Sequence, residues 1–194
     1  VQDAFEFMEE VSGRYDLPFL FMSYFNIAFA YRQEASGGRG GADGVAGFVA
    51  ASAAAGASGL ILPDLPPDMV REGYKEACDK AALHPVYVVS PNTGKERLEL
   101  IAEAGSGLLY ATSRTGTTGK EMDLQMQELA GFLASARETC GMPIAVGFSI
   151  STREQVESLR GHADIAVVGT HFIRTWQEGG VEALEAELNK LTGS

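Results

Sequence analysis

The chain has 194 residues, enough for one domain with a full core, and its 45% hydrophobic and 21% charged make-up is that of an ordinary soluble protein. Fifteen Lys plus Arg against 26 Asp plus Glu leave a formal charge of -11, with the bases scattered, which argues against a nucleic-acid partner. No apolar run approaches the roughly 20 residues that cross a bilayer and no signal-peptide pattern is present, so a cytoplasmic protein without a membrane partner is expected, with Cys78 and Cys140 as reduced structural thiols.

In chain order, Ala4, Phe5, Met8 and Val11 recur at helical spacing, so residues 3–14 read as an amphipathic helix. Residues 17–24 (LPFLFMSY) are nearly all apolar, as in a parallel strand covered on both sides, and end in the polar cluster Ser23, Tyr24, Asn26. A glycine-rich insert spanning about 33–44 has no periodicity and lacks the GK[ST] ending of a P-loop, so it reads as a flexible surface loop. Helix 45–55 leads to strand 58–63, which stops at Asp64 before a proline-initiated helix running to about Leu83. Strand 85–89, helix 95–104, strand 108–112, a polar glycine-punctuated loop 113–119 and helix 123–139 follow.

The last part organises the rest. Residues 142–176 read as a βαβ unit in which strand 143–146 breaks at Gly147 and strand 165–168 breaks at Gly169-Thr170. A right-handed crossover puts both turns at the carboxyl edge of one sheet, where a following helix offers unpaired N–H groups. Glycine allows close approach of those amides to an anion, so a phosphate fits there; ordinary tight βα turns are the other reading. A final helix spans 181–191. Six strand-then-helix units without a hairpin signal imply a parallel α/β sheet, either open and doubly wound or a (β/α)8 barrel seen in part. The opening helix favours the barrel, as the end of an earlier unit.

Five stretches carry a resemblance: LPFLFMSYFN at 17–26, GASGLILPDLPPD at 56–68, LLYATSRTGTTG at 108–119, PIAVGFSIST at 143–152 and VVGTHFIRTW at 167–176. In this order they resemble the alpha subunit of tryptophan synthase, over essentially the whole chain. The resemblance implies a single, partial TIM-barrel domain over 1–194 with about six of the eight βα units. It also implies a carbon-carbon lyase that cleaves indole-3-glycerol phosphate to indole and glyceraldehyde 3-phosphate in tryptophan biosynthesis. The implied partner is a beta subunit, to which pyridoxal phosphate belongs; no cofactor is expected in this chain.

Carried over by residue, Tyr110 matches the tyrosine beside the substrate glycerol, and Thr118 and Gly119 match the loop that closes over the site, with Arg114 in the same loop. Gly169 and Thr170 match a Gly-Ser pair that holds the phosphate at a short extra helix. Gly147 and Phe148 match the start of GFGIS, whereas Ser149 replaces its phosphate-facing glycine and either crowds the ligand or donates a hydroxyl. Tyr24, Asn26 and Asp64 match polar strand-end positions near the site and the beta contact. The family's catalytic glutamate and aspartate both precede the region that Val1 matches. Asp64 is therefore the best-placed acid within these residues, with helix capping as its alternative role. His171 either approaches the phosphate or faces solvent. No pair has metal-ligand spacing, and no metal is expected.

Two other functions compete. A catalytically dead relative would bind a phosphorylated ligand or regulate a beta subunit, and another phosphate-binding barrel enzyme would lack the 110–119 motif. If the polypeptide were complete as it stands, open sheet edges would predict dimerisation, segment exchange or marginal stability.

Overall fold

The structure, a computed structural model, describes residues 1–32, 44–65, 73–112, 120–147 and 150–193, and of 120–125 the backbone only. The glycine-rich insert thus lies outside the described residues up to position 43, as do Arg114, Thr118, Gly119, Phe148 and Ser149. The chain divides into two compact units, Val1–Val88 with Lys95–Gly107, and Val89–Gly94 with Leu108–Ser194.

The first unit is built from α1 (Gln2–Arg14), β1 (Leu20–Met22), α2 (Phe25–Ala30), α3 (Gly44–Ala54), β2 (Gly59–Ile61), α4 (Tyr74–Ala81), β3 (His84–Val89) and α5 (Lys95–Ala104). β1 pairs with β2 and β2 with β3, both parallel, so every crossover carries a helix, as parallel pairing demands. Its core is aromatic under α1 and α3. Phe5, Phe21 and Phe48 lie within 5.2–5.8 Å of one another and Tyr31 stands edge-on to Phe48 at 5.7 Å, geometries that ring quadrupoles favour. Ser12 Oγ donates to Ala55 O at 3.2 Å, and Gly56 beneath it has φ +88, with no room for a β-carbon.

Strand β1 departs from expectation. Phe21 faces the aromatic cluster, but Leu20 and Met22, on the opposite face, are 37% and 53% exposed rather than covered. Successive side chains point to opposite faces, and the helices cover only one of them here. β2 is buried throughout. Helix α2 is not legible in the sequence as a helix. Its first free N–H, at Phe25, donates to Asp64 Oδ1 at 2.6 Å, a partner 39 residues away.

The second unit holds β4 (Leu109–Thr112), α6 (Lys120–Cys140), β5 (Ile144–Gly147), α7 (Arg153–Ser158), β6 (Ile165–Ala166) and α8 (Thr170–Thr192). β4, β5 and β6 pair in that order, all parallel. Leu129, Leu133 and Ala136 of α6 recur at helical spacing and are buried, as is all of β5. α8 is interrupted at Gly180, whose φ of 67 and ψ of -157 separate residues 170–179 from 181–192. Cys78 and Cys140 are thiols rather than a disulfide, and burial pushes the Cys78 thiol up to about 12, so it is inert. No helix among the described residues is long and apolar enough to cross a membrane.

Asp164 secures the entry to β5 and β6. Its Oδ2 accepts from Ile144 N–H and from Arg137 Nη2, both at 2.8 Å. The backbone N–H first, then the guanidinium, holds this carboxyl below the usual carboxylate range. A lowered folded-state value means that the contribution is complete above about pH 4, where the unfolded carboxyl is ionised, and is lost as pH falls through the lowered value. Asp164→Ala should cost about 1 kcal/mol at neutral pH, because the pair is partly exposed and the backbone bond carries most of it. Urea unfolding should show that gap at pH 7 and its closure near pH 2; a gap that persisted in acid would contradict the assignment.

Candidate active site

The parallel ladder decides which residues meet. Tyr110 lies opposite Ala145 and Thr112 opposite Gly147, so Tyr110 and Gly147 are diagonal neighbours on one face. The phenol lies over the glycine. A β-carbon on Gly147 would fall 2.1 Å from Tyr110 Oη and 2.6 Å from Cζ, so glycine here is room for a ring rather than a turn requirement. The Tyr110 phenol is protonated at neutral pH by its ordinary value, and burial raises that value further, so the group is available as a hydrogen-bond donor.

Two helices start beside this tyrosine, and their first turns differ. At α7, Thr152 Oγ1 accepts from Gln155 N–H at 3.3 Å, while Gln155 Oε1 accepts from Ser151 N–H at 2.8 Å and Thr152 N–H at 3.1 Å. That is a capping box, written in the sequence as T-x-x-Q, and it satisfies the amides of Thr152 and Gln155. At α8 the cap is Gly169, and no side chain caps it. Its first-turn amides have no carbonyl behind them, so the positive end of the helix is open.

A cavity of about 500 Å³ lies at that open end. Tyr110, Ser151, Gly169, Thr170, His171 and Arg174 line it, with Ile150 and Val167 as its apolar part. The structure thus brings together Tyr110, Gly169 and Thr170, with Gly147 beneath the tyrosine. It adds Ser151 and Arg174, which sequence reading missed; the helical offset of Arg174 from Thr170 was the available signal. His171 turns to Glu187, its Nε2 2.9 Å from Oε1, across the Gly180 interruption. Glu187 also receives Lys190 Nζ at 3.1 Å, and His171, then Lys190, lowers its pKa. The histidine therefore clasps the two halves of α8 together.

The remaining candidates gather in the first unit. Tyr24 is the N-cap residue of α2 and is 60% exposed. Asn26 Oδ1 accepts from Ile27 N–H at 2.9 Å, and Asp64 accepts from Phe25 N–H. These three form the α2 corner, where Asp64 caps α2.

The chain is similar to known proteins in sequence and in fold. The sequence profile of the tryptophan synthase alpha chain family matches residues 1–193. The tryptophan synthase alpha chain of Syntrophotalea carbinolica is 40% identical over 191 residues, covering 98% of this chain and 70% of that protein. That of Desulforapulum autotrophicum is 38% identical over 184 residues, covering 95% and 67%. Among solved structures, a mutant tryptophan synthase alpha subunit of Pyrococcus furiosus superposes with a TM-score of 0.81 at 29% identity, covering 100% of this chain and 74% of that one. A Pyrococcus furiosus structure described for mutual activation of the tryptophan synthase α2β2 complex gives 0.80 at 30% identity, with the same coverage. The fold class is accordingly α/β of the TIM-barrel type, with six of its βα units in this chain. With a family profile spanning nearly every residue and relatives at this identity, the chain belongs to the tryptophan synthase alpha chain family.

Proposed function

We propose that the cavity at the start of α8 seats the phosphate of indole-3-glycerol phosphate, and that the chain serves the cleavage of that substrate to indole and glyceraldehyde 3-phosphate. Family membership supports the alpha-subunit lyase function in tryptophan biosynthesis, and the relatives do not favour a catalytically dead binding or regulatory protein. The observation that carries the siting is the uncapped amino end of α8 opening into a cavity beside Tyr110 and Gly169-Thr170. A beta subunit is the proposed partner, because a relative of the same fold is described in an α2β2 complex. Pyridoxal phosphate belongs to that subunit, and the proposed location is the cytoplasm.

The reaction breaks the bond between indole C3 and the first glycerol carbon. A proton leaves the hydroxyl on that carbon, which becomes the aldehyde, and a proton arrives at C3. Carboxyl groups suit both transfers, which are typically worth about 10²- to 10⁴-fold each. In this reading Tyr110 donates to the substrate's glycerol phosphate end as a neutral phenol, while Gly169 and Thr170 present amides and a hydroxyl. Such anchoring holds ground and transition states alike and acts mainly on KM. By resemblance, Thr118, Gly119 and Arg114 close over the site and Gly147, Phe148 and Ser149 face the phosphate.

Release of indole from indole-3-glycerol phosphate, with a tryptophan synthase beta subunit present, is the direct test, and phosphate-dependent substrate binding is its minimum outcome. Loss of both would overturn the reading. Asp64 can be tested separately as an acid. Asp64→Asn keeps an oxygen for Phe25 N–H and should leave stability nearly unchanged, whereas Asp64→Ala should lose about 1 kcal/mol of capping. If Asp64 only caps, the Asn variant keeps full turnover; a drop of about 10²-fold or more with stability intact would make it a proton-transfer group. Gly147→Ala should displace the Tyr110 ring, weaken phosphorylated-ligand binding and cost about 1–3 kcal/mol as overpacking, read by near-UV dichroism, titration and thermal melting.

A further inference from the structure

We propose that Arg174 is the charged member of the phosphate site, a substrate-binding residue that makes the site select a phosphomonoester anion over an uncharged indole alcohol. The inference rests on the phosphate siting above and adds a residue and a specificity to it.

Arg174 lines the same cavity as Tyr110, Ser151 and Thr170. It lies four residues after Thr170, the first residue of α8, hence on the same helix face. Side chains on a helix lean toward its amino end, so an arginine one turn in reaches back over the first turn, where the amides are open. No other cation among the described residues competes for this place. His171, the other basic residue of the cavity, is held at 2.9 Å by Glu187.

The charge around Arg174 is also unusual for so acidic a chain. Arg14, Arg137, Arg153 and Arg160 each pair with a carboxylate. Arg32 donates to the Tyr31 carbonyl. Among the described residues only Arg97 and Arg174 form neither an ion pair nor a hydrogen bond, and Arg174 alone of these two lines a cavity. An unpaired guanidinium beside open amides and a phenol donor presents donors only, and its planar fork matches phosphate oxygens in pairs.

The test titrates purified protein with 3-(indol-3-yl)propyl phosphate, which lacks the hydroxyl that cleavage requires, and with 3-(indol-3-yl)propanol. Arg174→Gln keeps a good helix former at an exposed position, and circular dichroism checks that the fold is retained. The expected result is about tenfold weaker binding of the phosphate by Arg174→Gln, partial recovery in Arg174→Lys, and unchanged binding of the alcohol. In turnover, KM for indole-3-glycerol phosphate should rise while kcat stays the same. Equal phosphate affinity in wild type and Arg174→Gln, or equal weakening for both ligands, would overturn the role of Arg174 while leaving the siting intact. A wild-type protein that binds neither ligand would remove the siting and this inference with it.

Discussion

Parallel strand pairing is the constraint on which the site depends. In β4 and β5 the ladder alternates buried Leu109 and Ala111 with Tyr110 and Thr112 on the other face. A slip of one residue would exchange the two sets and send Tyr110 into the helix-covered side, away from Gly147. Because β6 follows β5 in the same direction, its end delivers Gly169 to the same edge as Gly147 and Tyr110. The tyrosine, its glycine and the start of α8 thus converge through backbone pairing, before any side chain recognises a ligand.

The first turns of α7 and α8 differ in what their amides meet. Both follow a strand end of the same sheet, and both begin with amides that lack carbonyl partners. The T-x-x-Q of α7 satisfies the amides of Thr152 and Gln155 internally, whereas no side chain caps α8 at Gly169. The short helix then needs another anchor, because residues 170–179 are severed from 181–192 at Gly180. His171 and Glu187 supply it across the interruption, and Thr175 Oγ1 adds a bond to His171 O at 3.0 Å. The open end is held in place by contacts within α8 itself.

Much of this was legible in the sequence, for reasons that differ by element. Helix α5 and the strand starting at Leu109 stand out because an apolar face at one clear period leaves little choice, and the two glycine turns after β5 and β6 mark the sheet edge. Helix α2 was hidden because six residues with a mixed pattern depend on Asp64 for their first amide, a contact no local window contains. The exposure of Leu20 and Met22 was hidden too, since an apolar run shows which residues seek cover and not which face the helices reach. The partner of His171 lies 16 residues on, beyond a glycine interruption, so only tertiary placement reveals it. At 113–119 composition predicts only a polar loop, and roles for Arg114, Thr118 and Gly119 rest on the family resemblance alone.

On the proposed siting, a chain with a formal charge of -11 holds a phosphorylated substrate against its own field, and local geometry decides whether it can. Surface charges separated by more than about 8 Å are largely screened at physiological ionic strength, so the distant acids weigh less than the donors within reach. In that reading Tyr110 contributes as a phenol that donates to a phosphate oxygen, neutral at physiological pH by its ordinary value and the more so for its burial. Open helix amides add partial positive charge without a proton to lose, and a guanidinium remains charged throughout the physiological range. None of these groups changes its protonation state near neutral pH. In the proposed reaction the anchoring of substrate is thereby uncoupled from the proton transfers that break its carbon-carbon bond, and the acids proposed for those transfers can titrate without releasing it.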